Sequence, residues 1–381
     1  MKIGIVTLPL HINYGGILQA YALQTVLEHL GHQTEILQVQ RPRKLPYYRM
    51  PQAYAKRFIK KFVLGHSETR FFEEQWWNKE GIPAMRKCTD QFLNKHLHLR
   101  HMHSIKEVQP TDYDGYVVGS DQVWRKIYFS SMMHTSICDA FLRFAKDWKV
   151  KRIAYAASFG TDTWEYTDKE TFLCGVLLQQ FDAVTVREAS AVELCKKKFD
   201  VDATHVLDPT MLLTAHDYQV LFEEEKTPKS EGNMHCYILN RKPEKQALID
   251  EIARERDLCP FSVLNPIQAQ VKDAAELTQP PAEQWLRAFY DSEFVVTDSF
   301  HACVFSILFR KQFVVYGNES RGMARFHSLL SAFGLEDRLV SNYEQYKELT
   351  PIDYDTVYEK LDIWRPWSLE ELKKSTCTIN I

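Results

Sequence analysis

Four short stretches of the chain carry residues able to do chemistry. The richest is Phe294 to Ser306, FVVTDSFHACVFS, where Thr297, Asp298, Ser299 and His301 crowd together. Each of these can donate, accept or carry a proton. The second is Gly119-Ser120-Asp121-Gln122, a small-residue turn holding a carboxylate. The third is Arg187, whose planar guanidinium suits a carboxylate or a phosphate. The fourth is Asn13-Tyr14-Gly15-Gly16, whose glycines allow a backbone to come close to something. Each has a plainer reading. Asp298 or Ser299 caps a helix, Ser120 and Asp121 do the same, Arg187 pairs with Glu188, and the glycines make a tight turn.

Their positions in the chain favour a site. Each stretch follows an apolar run that reads as a buried strand, and most precede a helical pattern. Lys2 to Leu8 is a first strand, Ile17 to Leu30 a helix closed by Gly31, and Thr34 to Val39 a second strand, which makes a βαβ opening. Tyr113 to Val118, Arg152 to Ala157, Asp182 to Val186 and the short run His205 to Leu207 continue the strands. Asp208-Pro209-Thr210 then breaks the chain. A second series follows: strands at 234–239, 261–264, 294–296 and 312–316, with helices at 244–256, 282–288, after 301 and at 323–333. The tail from Tyr343 reads as helix interrupted at Pro351 and Pro366. Residues 66–110 read as helical and polar. In open α/β sheets ligands sit at the carboxyl ends of strands, where the four stretches fall. His301 then lies in the first turn of a helix, beside backbone N–H groups that favour an anion. The fold class expected is α/β with two Rossmann-like domains, 1–208 and 209–381, the second ending in a helical tail.

Composition narrows the function. The 381 residues are 45% hydrophobic and 25% charged with a net charge of −3, so the whole molecule is no magnet for nucleic acid. The eight cysteines form no CxxC pair, which argues against a zinc site or a disulfide framework and fits a reducing cytoplasm. No export-like leader is visible, and no stretch approaches the roughly 18 apolar residues of a membrane span. A cytoplasmic protein is expected. One segment stands apart: 41–63 carries eight Lys and Arg and no acidic residue, with Tyr47, Tyr48, Tyr54, Phe58 and Phe62 interleaved. It reads either as a solvated insertion or as a peripheral contact for the inner face of an anionic membrane or a lipid-linked phosphate.

Six stretches in order resemble the polysaccharide pyruvyl transferase family: NYGGILQAYALQ (13–24), GSDQVW (119–124), VREASAVELC (186–195), VLDPTMLL (206–213), TDSFHACVFSIL (297–308) and ARFHSLLSAFGL (324–335). The resemblance implies a GT-B-like fold with its active site in the interdomain cleft. It implies an enzyme that moves the enolpyruvyl carbons of phosphoenolpyruvate onto two hydroxyls of a sugar as a cyclic ketal, releasing phosphate. The acceptor would be a cell-surface polysaccharide sugar or its lipid-linked precursor. Phosphoenolpyruvate is then a co-substrate, with no cofactor. No DxD or HExxH cluster asks for a metal. By this similarity Arg187 meets the donor's anionic groups and His301 matches the family's histidine of the strand-to-helix turn, and imidazole chemistry makes it the candidate general acid for the methylene carbon. Asp121 or Asp298 is the base for the sugar hydroxyl. Asn13, Gly15, Gly16, Ser120 and Ser299 complete the substrate-binding set. Many relatives have an arginine where Ser299 stands, so Arg321 or Arg325 is expected to supply the missing charge. The same architecture also serves nucleotide-sugar-dependent glycosyltransferases and non-catalytic sugar- or phosphate-binding proteins.

Overall fold

The computed structural model describes residues 1–66, 69–265, 271, 273–317 and 322–377. The apolar runs form two parallel sheets. The first contains β1 (Lys2–Val6), β2 (Gln33–Val39), β3 (Leu99–Met102), β4 (Gly115–Val118), β5 (Lys151–Ala157), β6 (Ala183–Val186) and β7 (Thr204–His205), in the spatial order β3-β2-β1-β4-β5-β6-β7. The second contains β8 (Met234–Tyr237), β9 (Pro260–Phe261), β10 (Phe294–Thr297), β11 (Gln312–Tyr316) and β12 (Leu339–Val340), in the order β12-β11-β10-β8-β9. Helices cover both faces of such sheets, so β4, β8 and β10 are buried along their whole length and carry continuous apolar runs. The result is a two-domain, Rossmann-like GT-B fold. Strand order reverses between β1 and β4 in the first sheet and between β8 and β10 in the second. Those are the crevices where an open sheet takes its ligands.

Two helices join the halves. Tyr14–His29 buries residues on nearly every side, which a helix does only when it is covered from both directions. All nine residues of Phe300–Leu308 are buried as well. The two lie in one continuous apolar core with Ile5 and Val117 of the first sheet and Val295 and Phe313 of the second. Across the seam Tyr14 stacks on Trp285 at 5.6 Å and donates its hydroxyl to the Pro280 carbonyl at 2.7 Å. Gln19, buried inside the first of these helices, is satisfied by Thr7, Ser120 and the Gly16 carbonyl.

Two features differ from the sequence expectation. The edge strand β3 lies within the stretch read as helical. Its His98-Leu99-Arg100-His101 run is too polar to show a strand pattern, and its pairing with β2 is parallel and tertiary. Pro366 does not interrupt the tail. It sits inside the helix Tyr354–Thr376. An internal proline costs about 3 kcal/mol in a helix, and here tertiary contacts offset it. Leu361 and Leu372 are fully buried, Ser368 accepts from the Leu207 N–H, and Arg365 donates to the Met211 carbonyl. By these bonds the final helix returns to the first half.

His235 in β8 makes a stability test. It is completely buried among Phe261, Phe289 and Tyr237, and neither ring nitrogen has a hydrogen-bond partner among the described residues. Burial holds its pKa down to about 3. Below the ordinary value of 6.5 the unfolded chain therefore binds a proton that the folded chain refuses, and stability falls as pH drops from there towards 3. His235→Leu removes an unsatisfied polar group, so it is expected to stabilise by about 1–3 kcal/mol at pH 7. The gain should grow by about 2 kcal/mol at pH 5. Urea unfolding at the two pH values checks this; an equal gain at both would contradict it.

Candidate active site

The site is built where the carboxyl edges of the two sheets meet. Arg187 ends β6, and Asp208 follows β7. Burial removes both from water, so each needs a partner. Arg187 Nη1 donates to Asp208 Oδ2 at 2.7 Å, and its Nε stands 3.7 Å from Glu188 Oε1. His301, from the first turn after β10, brings its Nε2 to 3.6 Å from the same Asp208 oxygen. Asp208 Oδ1 is held by the Thr210 N–H and hydroxyl at 3.0 and 2.7 Å. One carboxylate thus fixes an arginine of the first half and an imidazole of the second. Burial opposes its charge, but the nearby His301 and Arg187 outweigh that and hold the carboxyl well below the ordinary carboxylate range. Glu188 goes the other way. Burial raises its pKa in spite of Arg187, and it also receives the Ser158 hydroxyl.

A second guanidinium lies close by. Arg325, one residue into the helix Ala324–Phe333, is 6% exposed. Its guanidinium carbon is 5.5 Å from the Phe300 ring centroid, and that of Arg187 is 4.4 Å from the same ring. Burial, and then the charge of Arg187, press the Arg325 pKa down to about 10. The like charge of Arg187 thus opposes that of Arg325, and both guanidiniums lie against one aromatic ring. Arg187 Nη2 and His301 Nε2 are buried without a hydrogen-bond partner among the described residues.

The glycine turn serves the imidazole. A Cβ on Gly15 would lie 2.2 Å from His301 Nδ1, so the space a side chain would take is filled by the histidine ring of the other half. Gly16 faces the opposite way. A Cβ there would sit 3.2 Å from Asn13 Nδ2 and 3.4 Å from Asp121 Oδ2. Gly16, Asn13 and Asp121 line a cavity of about 480 Å³, together with His11, Tyr128 and the turn after β1. It occupies the β1/β4 crevice. Asn13 stands at the helix N-cap, yet its side chain makes no capping bond, so the amide remains available to a ligand. Asp121 is 6% exposed and accepts from the Gln122 N–H at 2.8 Å.

Several residues singled out from sequence are placed elsewhere. Asp298 is not at the meeting point. It braces the other crevice, β8/β10, accepting from the Leu239 and Asn240 N–H groups at 2.7 and 3.0 Å and from Lys245 Nζ at 2.6 Å. Its carboxylate is 0% exposed and committed to these three donors. Ser120 is likewise 0% exposed, and its hydroxyl goes to Gln19 at 2.8 Å. Ser299 is partly exposed at the start of its helix and does not cap it. Arg321 lies outside the described residues. Gly322, the next described residue, has φ +90, and a Cβ there would meet the Gly160 carbonyl oxygen at 1.7 Å. Only glycine fits there, and the contact closes the second half onto the first. Sequence reasoning missed Asp208 and Phe300, while the pairing of Arg187 with Glu188 is one that it names. The Asp-Pro-Thr signal of an Asx-type turn is present at Asp208, but in the sequence it reads only as a break in the chain. Among the described residues no three His, Cys, Asp or Glu side chains are grouped to hold a metal, and no helix is long and apolar enough to cross a membrane.

Known proteins supply the remaining finding. Arabidopsis thaliana UGT89C1, solved complexed with UDP-L-rhamnose, superposes with a TM-score of 0.50 at 10% identity, covering 99% of each chain. At that identity the likeness concerns the fold alone. The S. aureus MnaA-UDP co-structure is 13% identical, with a TM-score of 0.47 over 97% of this chain and 94% of its own. No curated protein matches the sequence. The family model of polysaccharide pyruvyl transferase matches residues 13–320, from the glycine turn of the first half to the loop after β11. That span takes in Asn13, Asp121, Arg187, Asp208 and His301, and the chain belongs to the polysaccharide pyruvyl transferase family.

Proposed function

We propose that the donor is phosphoenolpyruvate and the product a cyclic pyruvate ketal on a sugar. The observation that carries this is the pair of buried guanidiniums, Arg187 and Arg325, both against the Phe300 ring, beside His301, whose Nε2 makes no hydrogen bond among the described residues and faces Asp208 Oδ2 at 3.6 Å. Phosphoenolpyruvate is a compact trianion. Its phosphate and carboxylate suit two fixed cations. Its methylene carbon needs one proton, which an imidazole can deliver near neutral pH. Arg325 stands in for the arginine that many relatives have at the Ser299 position, which speaks for a working site over a decayed one.

On this reading the acceptor takes the 480 Å³ cavity lined by Gly16, the neighbour of the glycine packed on His301, with Asn13 and His11 as hydrogen-bonding groups and Asp121 as the base. His301 Nε2 protonates the methylene carbon, and the electron pair of the double bond forms the new C–H bond. The first sugar oxygen bonds to the cationic carbon as Asp121 takes its proton. The carbon–oxygen bond to phosphate then breaks, and the second hydroxyl attacks the same carbon to close the ketal. Of the two hydroxyl protons, one leaves on hydrogen phosphate and the other restores His301. Asp208 is a positioning residue that orients the imidazole.

The test is phosphate release from phosphoenolpyruvate in the presence of candidate saccharides, run in D₂O. One deuterium in the product methyl and one phosphate per ketal are expected. A nucleotide-sugar enzyme on this fold would use the second crevice, where a cavity of about 710 Å³ lies against Lys242, Lys245 and Tyr316. Tight UDP binding with no response to phosphoenolpyruvate would overturn the proposal in favour of that reading.

Gly15→Ala offers an indirect check. The added methyl cannot coexist with the present imidazole position. A displacement of about 1 Å costs on the order of 100-fold in rate. That loss is expected in kcat, with phosphoenolpyruvate affinity changed much less, because both arginines are untouched. Unchanged kcat would remove His301 from the reaction.

A further inference from the structure

The chemistry above leaves the basic and aromatic insertion unused. The helix Met50–Phe58 and the π-helical turn Ile59–Val63 form one continuous rod in which no residue is fully buried. Phe58, Ile59, Phe62, Val63 and Leu64 are 49–68% exposed, and Tyr47 and Tyr48 before them are 87% and 77% exposed. Surfaces carry such residues singly without meaning; a contiguous set marks a contact. Phe58 and Phe62 pack on each other at 4.9 Å. In the same segment Arg43, Lys44, Arg49, Lys56 and Lys60 are exposed, and 41–62 contains no Asp or Glu. Among the described residues Arg57 alone of these cations forms a salt bridge, to Glu73 and Glu74, which ties the rod to the domain.

Charge and apolar character together select the partner. A second copy of this chain would bring the same positive charge against itself. Nucleic acid would match the cations but not Ile59, Val63 and Leu64. The interface of an anionic bilayer matches both. The place is also right. The insertion leads into the helix Ile82–His96, whose Arg86 Nη1 is 3.3 Å from Nδ1 of His11, in the wall of the 480 Å³ cavity. We infer that residues 47–64 seat the protein on an anionic membrane face, with the acceptor cavity held near lipid-linked saccharides. The seating stands apart from the proposed chemistry, while the lipid-linked acceptor rests on it.

The experiment is co-sedimentation of the full chain with phosphatidylcholine vesicles, with and without phosphatidylglycerol. Binding is expected only with the anionic lipid and should fade as salt rises. Lys60→Glu with Lys61→Glu, and separately Phe58→Ser with Phe62→Ser, should each weaken it by about tenfold or more. All four side chains lie outside the core, so thermal unfolding should stay unchanged. Failure to bind either vesicle, or equal binding by the charge-reversed variant, overturns the inference. So does self-association that the serine variant abolishes, which would assign the face to a second copy. No turnover is measured, so failure of the pyruvyl chemistry would not alter the result.

Discussion

Replacing His301 by alanine is expected to lower kcat for sugar-dependent phosphate release by about 10²–10⁴-fold, the usual worth of a positioned proton donor. The phosphoenolpyruvate Kd, read by calorimetry, should change only a few-fold. The split follows from the geometry. Arg187 and Arg325 are held by burial and by Phe300, and neither needs the imidazole to stay in place. His301 in turn depends on its neighbours. Gly15 leaves room for its ring, and Asp208 sits 3.6 Å from Nε2. Removing the ring should therefore delete a step and spare the grip. A variant that loses donor binding and keeps kcat would make His301 an anion contact instead of an acid.

Arg187→Met should act on binding and on folding together. It strips Asp208, 1% exposed at its side chain, of its 2.7 Å partner. Breaking a buried pair from one side costs about 3–5 kcal/mol. Adding Asp208→Asn removes the orphaned charge and should recover much of that loss. What the double variant should not recover is the response to the donor. Ligand at about 100 times its Kd stabilises a protein by about 2.7 kcal/mol. The wild-type chain should show that gain with phosphoenolpyruvate, and the double variant almost none. Thermal unfolding with and without the compound reads both quantities. An undiminished gain in the double variant would place the donor elsewhere.

The parts of this site legible in the sequence are those where local pattern and function coincide. A strand, a polar turn and a helix start are written side by side at Val296–Phe305, so His301 could be located without a structure. Arg187 could be found for the same reason, directly after Val186. Local signals fail where a contact is tertiary. Asp298 has the better position in sequence, three residues before His301, yet the reversal of strand order at β8/β10 turns it towards the backbone of Leu239 and Asn240. Asp208 reads as a chain break because Pro209 follows it. Its role depends on an imidazole 93 residues later. Gly15 and Gly16 were rightly read as allowing close approach, but what approaches Gly15 is a side chain of the second half. Pro366 misled because helix rules count local hydrogen bonds, and the contacts that hold its helix reach Leu207 and Met211.

The most direct measurement is diffraction from crystals of the protein bound to phosphoenolpyruvate. The account predicts its phosphate and carboxylate on Arg187 and Arg325, with the methylene carbon about 3–3.5 Å from His301 Nε2. Density for the compound in the Lys242 and Lys245 crevice, with His301 untouched, would contradict it.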